Sequence, residues 1–549
     1  MHLFPETTSV GRNAFADFAR SGFVLLLTLF GLTFLVACGG SSSSTPAGDS
    51  SSDFSTSSLN GTYVFSSTGL DLSTGTLFLT MVGSLTANGS GGITGGTVDR
   101  IGGNLSAFSP AVQPITGGSY TVGTDGRGQI NFNTTNRAGA LAITLDFVLI
   151  SSSHGLVTEF DSHGTGSGTI DLQSPITQSQ LAGSYAFAVS GTTANGASPT
   201  ATVGTFTLDS SGAVSTGQED VNNAGGYSGA PSQILTKSVV TLGTTPATAT
   251  IASSAGTSYT FDVYPIDSGH LKFIESDSQL LVSGDAYTQG SSIPTGELVF
   301  TLAGDDTIGR PFDSGGWLTN SSAAITAGLE DFNDGGSVSQ ANSVSGSISS
   351  LSGGRSVLSL SGFVNGAANN TPGNYRFAAY PFTLSGGGTG IQLLEIDGLG
   401  ITSGAAYAQT STTLAASQGY GLNLSGLNLN EVGVVNGIVS IEEDGIAEFT
   451  TTTSGLSGFV DLNPGDGMLM FDKTLTGSFP TPVDSNGRGT ATTPLFDFDF
   501  YVVNSSTFLL LVTNTQIGTG IFELQNAAGS PGAGPGVSPL RPASHAARQ

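Results

Sequence analysis

Along most of the chain, large apolar residues alternate with small or polar ones in short segments. In residues 185–189 (YAFAV) the large side chains occupy every second position, and residues 298–302 and 420–424 show a similar pattern. A period of two places these side chains on one face of a β-strand, which is the face that becomes buried. Gly-rich turn signals such as Asn88-Gly89 interrupt the pattern about every 8–12 residues. The chain is therefore predicted to be all-β.

The first part of the repeated pattern shows the strand plan in most detail. The connections between its predicted strands are short, so neighbours in sequence should pair antiparallel. An eight-strand meander would leave two unpaired edges, and closing it into an up-and-down barrel removes them. A two-sheet β-sandwich is the alternative. The predicted strands cover residues 61–66, 76–86, 92–99, 115–123, 128–134, 140–150, 155–161 and 167–173.

The same pattern recurs four times, at intervals of about 115 residues. Each copy begins with an alternating strand and ends near a glutamine, at Gln173, Gln289, Gln409 and Gln525. We expect four barrels arranged in line like beads, followed by a disordered tail at 526–549. The predicted β-repeats are residues 59–173, 181–289, 293–409 and 415–525.

Composition supports strands and excludes one class of partner. The chain has 81 glycines, and few of its residues are charged. Its exposed faces would carry Ser and Thr, which suit strands better than helices. The net charge is −26. A nucleic-acid-binding protein needs basic patches, so that function is excluded. An anionic lipid surface should also repel the chain, and any attachment must come from a lipid anchor.

The single cysteine, Cys38, follows the apolar run 23–37 and precedes a Ser/Gly tract. This run is shorter than the ~20 residues of a membrane-spanning helix. With Arg20 before it, Leu35-Val36-Ala37-Cys38 resembles the lipobox of bacterial lipoproteins.

The resemblance implies that residues 1–37 are a signal peptide and that Cys38 is lipidated. Residues 38–58 would then be a Ser-rich linker. Gly39 stands where the family's inner-membrane retention signal has Asp, which implies the outer membrane. The alternatives are an uncleaved apolar anchor or an ordinary secretory signal.

Residues 59–525 as a whole are similar to repeat-bearing surface lipoproteins of environmental Gram-negative bacteria. The resemblance rests on units of the style GSYxF, GRG, IEFD and a closing Gln. It implies secretion and a β-repeat plan, without an activity.

Acidic residues that recur in three repeats are the best candidates for ion or ligand contacts. One set lies six residues after an apolar strand residue, and a second set is a Glu followed two positions later by Asp. Residues i and i+2 of a strand share a face, so each pair should lie close together. Such pairs could hold calcium or serve a glycoside hydrolase. The favoured explanation is structural, such as bonding turn amides, and repeat 4 is expected to lack both sets. The candidates are Asp99, Asp220 and Asp331, then Glu159 with Asp161, Glu275 with Asp277, and Glu395 with Asp397.

Other motifs carry weaker signals. Asp461 to Asp472 resembles a calcium loop, but its glycine is one place late. Arg127, found in a Gly-Arg-Gly turn with counterparts in repeats 3 and 4, should pair with a carboxylate inside its own unit. Trp317 is expected to face inward. The histidines lack metal-ligand spacing and no nucleophile motif is present, so we predict no metal, no cofactor and no catalytic residue.

These features favour a non-enzymatic outer-membrane lipoprotein that acts as a surface spacer, adhesin or binding array. It would be held by its N-terminal lipid, and its partner would be a surface glycan or protein. A β-barrel carrier of a small ligand is one alternative. A polysaccharide-acting hydrolase is another.

Overall fold

The computed structural model describes a β-strand protein between residues 53 and 526. The residues left out within that range are 73–76, 104–111, 137–138, 195–197, 224–225, 228, 244–245, 278, 307, 365–372, 416, 429–432, 436–437, 441, 453, 467 and 480–482. The predicted signal peptide, Cys38, most of the linker and nearly all of the predicted tail lie outside the described residues. The helices described are three single 3-10 turns, Thr56–Ser58, Gln178–Leu181 and Ser352–Gly354. None of them has the length or apolar character needed to cross a membrane.

The first unit is a closed antiparallel barrel. Strand β9 returns to pair with β1, while β4 and β5 both lie against β3, so the wall has eight positions. This confirms the predicted barrel, and the sandwich alternative is not adopted. The strands are β1 (Asn60–Asp71), β2 (Leu77–Asn88), β3 (Gly92–Gly102), β4 (Gln113–Ile115), β5 (Gly117–Val122), β6 (Arg127–Asn136), β7 (Gly139–Ser151), β8 (His154–Phe160) and β9 (Gly164–Leu172).

The second unit has the same strand order with a less regular wall. Between β12 and β16 the pairing runs through short strands and the isolated bridges Ala213–Val239 and Ile234–Ser253. Its last strand pairs with its first. The strands are β10 (Gly183–Thr193), β11 (Pro199–Leu208), β12 (Val214–Asn223), β13 (Gly226–Tyr227), β14 (Ser232–Gln233), β15 (Val239–Thr241), β16 (Ala247–Ala252), β17 (Ser258–Asp267), β18 (His270–Glu275) and β19 (Leu280–Gln289).

The third and fourth units also close as eight-position barrels, through β20–β28 and β29–β38 pairing. The third contains β20 (Gly296–Asp305), β21 (Pro311–Ser321), β22 (Ala324–Asp334), β23 (Ser337–Ser343), β24 (Ser345–Ser350), β25 (Ser356–Phe363), β26 (Gly373–Thr383), β27 (Thr389–Glu395) and β28 (Ile401–Ala408). The fourth contains β29 (Gly419–Asn428), β30 (Gly433–Val435), β31 (Ile438–Ser440), β32 (Glu442–Thr451), β33 (Gly455–Asn463), β34 (Met470–Ser478), β35 (Arg488–Thr492), β36 (Asp497–Asn504), β37 (Thr507–Val512) and β38 (Gln516–Leu524). Strands β30 and β31 form a separate ribbon.

Large apolar side chains fill the barrel interiors. In the first barrel Phe65 and Phe132 meet with ring centroids 5.6 Å apart. In the fourth, Phe479 stacks on Phe500 at 4.5 Å. Each barrel has its own buried apolar cluster, in line with the period-two pattern of the sequence. The alternate positions of the same strands face outward, and many of these are buried as well.

The barrels form a closed ring, so the expectation of beads in line is wrong. After each closing glutamine, the next backbone N–H donates to a carbonyl of the following barrel. The fourth barrel does this to the first, because Asn526 N donates to Ile150 O at 2.7 Å. An apolar cluster between the barrels includes outward-facing residues from all four, among them Val148, Tyr287, Tyr380 and Ile521. The three other equivalent bonds are Ser174 N to Ile266 O, Gly290 N to Pro381 O and Thr410 N to Val503 O.

Trp317 contributes to this inter-barrel cluster and not to a lumen. Its neighbour Leu318 lies in the core of the third barrel. The sequence offers two adjacent glycines, Gly315 and Gly316, and Gly316 is the one that pairs with Phe300. The expectation that Trp317 faces inward is therefore wrong. It counted two residues from Gly315 and not from Gly316, and in a strand a shift of one residue exchanges the two faces.

Candidate functional site

The repeated aspartates lie at the junctions between barrels. At the junction of the second and third barrels, Asp220 of β12 is fully buried. Arg355 of the third barrel donates to it from Nε at 2.6 Å and from Nη2 at 2.8 Å. The hydroxyls of Tyr380 and Tyr227 donate to the same carboxylate at 2.5 and 2.6 Å. A buried bidentate ion pair of this kind fixes both distance and orientation.

The junction of the third and fourth barrels repeats this arrangement. Arg488 donates to Asp331 of β22 from Nε at 2.6 Å and from Nη2 at 3.1 Å. The Tyr501 hydroxyl donates to Asp331 at 2.5 Å. Arg488 also reaches Asp499 at 2.8 Å. The arginines of repeats 3 and 4 therefore pair with the preceding barrel. The prediction of pairing within one unit is wrong for Arg355, whereas Arg488 also has a carboxylate partner, Asp499, in its own unit.

At the junction of the fourth and first barrels, Asp461 of β33 takes the role of the repeated aspartate. Arg127 Nη1 donates to Asp461 at 3.2 Å and to Asp472 at 2.8 Å. Arg127 Nε also donates to Asp125 within its own barrel at 3.0 Å. Its guanidinium carbon lies 5.3 Å from the centre of the Phe459 ring. The segment that resembles a calcium loop thus supplies two carboxylates to an arginine.

Asp461 was missed from sequence because repeat 4 lacks one residue at this point. In the first barrel a bulge between Thr86 and Ala87 shifts the register, so Asp99 lies six residues after Ile93. Equivalent shifts occur in repeats 2 and 3. The pairing of β32 with β33 is continuous, and Asp461 follows Leu456 by five residues. The expectation that repeat 4 lacks this acid is therefore wrong.

The junction of the first and second barrels differs from the other three. Asp99 of β3 is buried, and the Tyr264 hydroxyl of β17 donates to its Oδ2 at 2.6 Å. No arginine or lysine pairs with Asp99 among the residues described. Its neighbour there is the carboxyl of Asp262. Burial, followed by the charge of Asp262, raises the pKa of Asp99 to about 7. Burial also raises the pKa of Asp262 to about 6.

An asparagine two residues after the repeated aspartate forms hydrogen bonds with the next barrel. Asn222 Nδ2 donates to the carbonyls of Glu395 and Gly400, each at 2.9 Å. Asn333 and Asn463 make the same kind of contact with the fourth and first barrels. Repeat 1 has Ile101 at this position, and Ile101 joins an apolar cluster with residues of the second barrel.

The Glu and Asp pairs stabilise hairpins, which agrees with the structural explanation. Asp161 accepts the backbone N–H of Thr144 at 3.0 Å and that of His163 at 2.8 Å. Glu395 accepts the N–H and the hydroxyl of Thr402 at 3.1 and 2.9 Å. The other members make related bonds: Asp277 with Thr260 and Gln279, Glu275 with Gln279 and Leu280, Asp397 with Arg376 and Leu399, and Glu159 with Arg100.

Burial raises the pKa of two of these glutamates. Burial raises the pKa of Glu159 to about 8, although Arg100 opposes this shift. Burial and the nearby Asp277 raise the pKa of Glu275 to about 8. Perturbed acids often mark active sites, but each of these carboxyls bonds within its own barrel, Glu159 to Arg100 and Glu275 to the backbone N–H groups of Gln279 and Leu280.

A buried charged cluster, which the sequence analysis did not predict, lies between the fourth, first and second barrels. His154 Nδ1 lies 2.7 Å from Asp171 and its Nε2 lies 2.8 Å from Glu523 of the fourth barrel. Burial lowers the pKa of His154, but the two carboxylates outweigh it and raise the pKa to about 10. The equivalent His270 of the second barrel lies 2.7 Å from Asp285. A signal was available, since both histidines open the strand that leads to the repeated Glu.

Two cavities in the described region are small. One, of about 30 Å³, lies in the second barrel between Phe187, Phe206 and Phe273 and is bordered by Glu219. Another, of about 20 Å³, lies between the third and fourth barrels near Ser403 and Thr519. Each has room for about one or two water molecules. The described residues contain no group of three or more His, Cys, Asp or Glu side chains placed to hold a metal ion.

Comparisons with known proteins add only weak structural similarity. No family model matches the chain, and a search of curated proteins found no match. Among solved structures, the chain is similar to the crystal structure of a point mutant of the vaccine antigen Transferrin Binding Protein B from Haemophilus parasuis Hp5. The identity is 9%, the match covers 70% of this chain and 84% of that chain, and the TM-score is 0.18.

Proposed function

We propose that this chain is a non-enzymatic, lipid-anchored surface protein whose barrels act together as one rigid binding body. The observation that carries this proposal is the way in which the repeated acidic residues are bonded. Asp220, Asp331 and Asp461 are bonded to arginines of the next barrel, and the Glu and Asp pairs bond to hairpin amides. Most of the residues that could have formed a catalytic or ion-binding set are therefore engaged in structural bonds, either between barrels or within one barrel.

The lumens give little support to the carrier alternative. A typical small-molecule site has a volume of about 300–1,000 Å³. The second barrel, with its cavity of about 30 Å³, is far below that range, and aromatic side chains fill the space around it. The partner would then contact the outside of the ring. A rigid body loses little conformational freedom when it binds, which favours recognition of a surface glycan or protein.

The anchor is tested separately from the binding activity. The full chain is expressed in a Gram-negative host with and without an inhibitor of lipoprotein signal peptidase. We expect acylated mature protein that begins at Cys38 and fractionates with the outer membrane. Cys38→Ala is the matched control and should remain unacylated. Acylation of that variant, or cleavage of the natural chain at another residue, would contradict the anchor.

The binding role is tested with purified protein on arrays of bacterial and plant glycans and on surface-protein extracts of known composition. The matched control is Asp220→Ala, which removes the acid of one junction and leaves the loops unchanged. We expect binding by the natural chain and weaker binding by the variant, because the ring would be less rigid. Release of reducing sugar from any glycan would show an enzyme and overturn the proposal.

A further inference from the structure

Among the residues that the structure describes, the junction of the first and second barrels has no arginine at the position where the other three junctions have one. Arg127 pairs with Val148 in the strand register, and Arg488 pairs with Tyr501. In the second barrel Ala247 pairs with Val263, so the residue beside Tyr264 at the arginine position is Pro246. Proline is uncharged, so it cannot take the place of the guanidinium. The acids of this junction are nevertheless retained.

Two buried carboxyls meet where the guanidinium would lie. Asp99 is 3% exposed, and its Oδ1 has no hydrogen-bond donor among the described residues. The titratable groups that face it are Asp262 and Tyr264, both from β17. Arg100, the next residue of β3, is turned to Glu159 of its own barrel, with Nη2 at 3.1 Å from Oε1. Two ionised carboxylates repel each other strongly when they are buried, because little water screens their charges. A proton shared between them removes the repulsion.

The rest of this junction combines apolar contacts with hydrogen bonds between uncharged groups, such as Thr80 Oγ1 with Ser283 Oγ at 2.6 Å, and lies beside the charged cluster around Asp171. Ile101, which stands in the place of the asparagine, packs with Val64, Phe78 and Tyr264 in a cluster shared by the two barrels. Apolar contacts have little directional preference and do not change with pH. The strength of this junction therefore varies with the charge of the two aspartates.

We propose that the junction between the first and second barrels is a proton-operated seam, closed while Asp99 and Asp262 share a proton and loosened once both carboxylates are ionised. The other three junctions contain an arginine, which stays charged at any physiological pH. The ring therefore opens at this seam before it opens elsewhere.

The direction of the pH dependence follows from the raised pKa values. Asp99 has a pKa of about 7 in the folded chain, and Asp262 has a pKa of about 6. Both groups titrate near pH 4 in an unfolded chain, or about 3 units lower for Asp99. The closed seam binds more protons than the open one in this window. Its stabilisation is complete below about pH 4 and is lost as the pH rises through about 7.

Hydrogen–deuterium exchange of the full chain, read by mass spectrometry at pH 5 and pH 8, tests the proposal. The rates are corrected for the intrinsic effect of pH, and the samples contain a chelator so that no divalent cation replaces the proton. Peptides from β3 and β17 report on the seam, and peptides from β12, β22 and β33 report on the arginine junctions. We expect protection at the seam to fall at least about tenfold from pH 5 to pH 8, relative to the other junctions. An equal change at all four junctions would overturn the proposal.

Two variants distinguish an effect of Asp99 at the seam from a general effect of pH on the chain. Asp99→Asn keeps an acceptor for Tyr264 and cannot ionise, and Pro246→Arg supplies the missing cation. Both should keep the seam protected at pH 8, while the other junctions remain as in the natural chain. Should one variant fail to fold, the other still decides the question. A loss of protection at pH 8 that persists in a folded variant means that Asp99 does not operate the seam.

Discussion

Arg127 and Asp461 are separated by 334 residues in the sequence, yet their Nη1 and Oδ2 atoms lie 3.2 Å apart. This contact joins the last repeat to the first. It uses the same position of the barrel wall as the Arg355–Asp220 and Arg488–Asp331 pairs, which join consecutive repeats. The junction between the fourth and first barrels is therefore built like these two junctions, although its barrels are not consecutive in the chain.

Arg127→Met should weaken the closing junction. The change leaves Asp461, which is largely buried, without its cation, and we expect a loss of about 2 kcal/mol in the free energy of unfolding. Urea denaturation measures the loss. Because Asp125 and Asp472 are more exposed, Asp125→Asn serves as a milder control. A double-mutant cycle with Asp461→Asn that shows no coupling would contradict the contact.

The equivalent substitutions Asp220→Asn and Asp99→Asn should have opposite effects at pH 8. Asp220→Asn leaves the buried Arg355 without its charged partner, at a cost of about 3 kcal/mol. Asp99→Asn removes an ionised buried carboxyl that has no cation, and it should stabilise the chain by about 1–3 kcal/mol. Urea titrations of both variants at pH 5 and pH 8 provide the measurement. Destabilisation of the same size in both would show that the two junctions work alike.

Asn222→Ala should destabilise the second junction by about 2 kcal/mol, because two buried carbonyls of the third barrel lose their donor. Asn223, the next residue of β12, is exposed and serves as the matched control. Thermal unfolding of both variants compares them under one condition. Equal shifts in the midpoint would indicate a general effect of substitution in this strand.

His154 should remain protonated through neutral pH. The carboxylates of Glu523 and Asp171 raise its pKa to about 10, despite burial, which lowers it. Nuclear magnetic resonance titration of the imidazole should show no transition between about pH 5 and pH 9. His163 provides the control, because its side chain is half exposed and its pKa is raised mainly by the hydrogen bond with Asp161. A midpoint for His154 near the value of a free imidazole would contradict the charged cluster.

The same values give the sign of a stability effect. His154 has a higher pKa when folded than when unfolded, so it stabilises the fold fully below about pH 6.5 and loses this effect as the pH rises through about 10. His154→Leu removes the cation that contacts both Asp171 and Glu523, and we expect a cost of about 3–5 kcal/mol at pH 7. Unfolding in urea at pH 7 measures it.

Local features of the fold could be predicted because they depend on neighbours in sequence. The alternation in β10 and the Asn88-Gly89 turn each report on a strand or hairpin that pairs with the adjacent segment. The ring could not be predicted this way, since Gln525 bonds to Asp125 O and Leu149 O at the far end of the chain. The same outward-facing positions are exposed in a row of separate barrels and buried in a ring, and alternation does not distinguish the two.

Likewise, only part of the candidate site could be predicted from the sequence. The sequence located the repeated acids, and the favoured structural explanation agrees with the hairpin bonds of Asp161 and Glu395. It did not reveal which barrel each acid would contact. A single missing bulge residue was enough to hide Asp461, because the comparison relied on fixed spacing from an apolar strand residue.

Closure of the ring limits how this architecture can change in evolution. A linear solenoid tolerates the gain or loss of a unit, because each unit contacts its neighbours alone. Here a fifth barrel would separate Asp461 from Arg127, and the loss of one barrel would require the remaining three to meet at different angles. The copy number is therefore set by geometry. The starting point is less constrained, since Phe54 and Gln525 both contact the turn at residues 124–125, and a circularly permuted gene that begins at another repeat should encode the same ring.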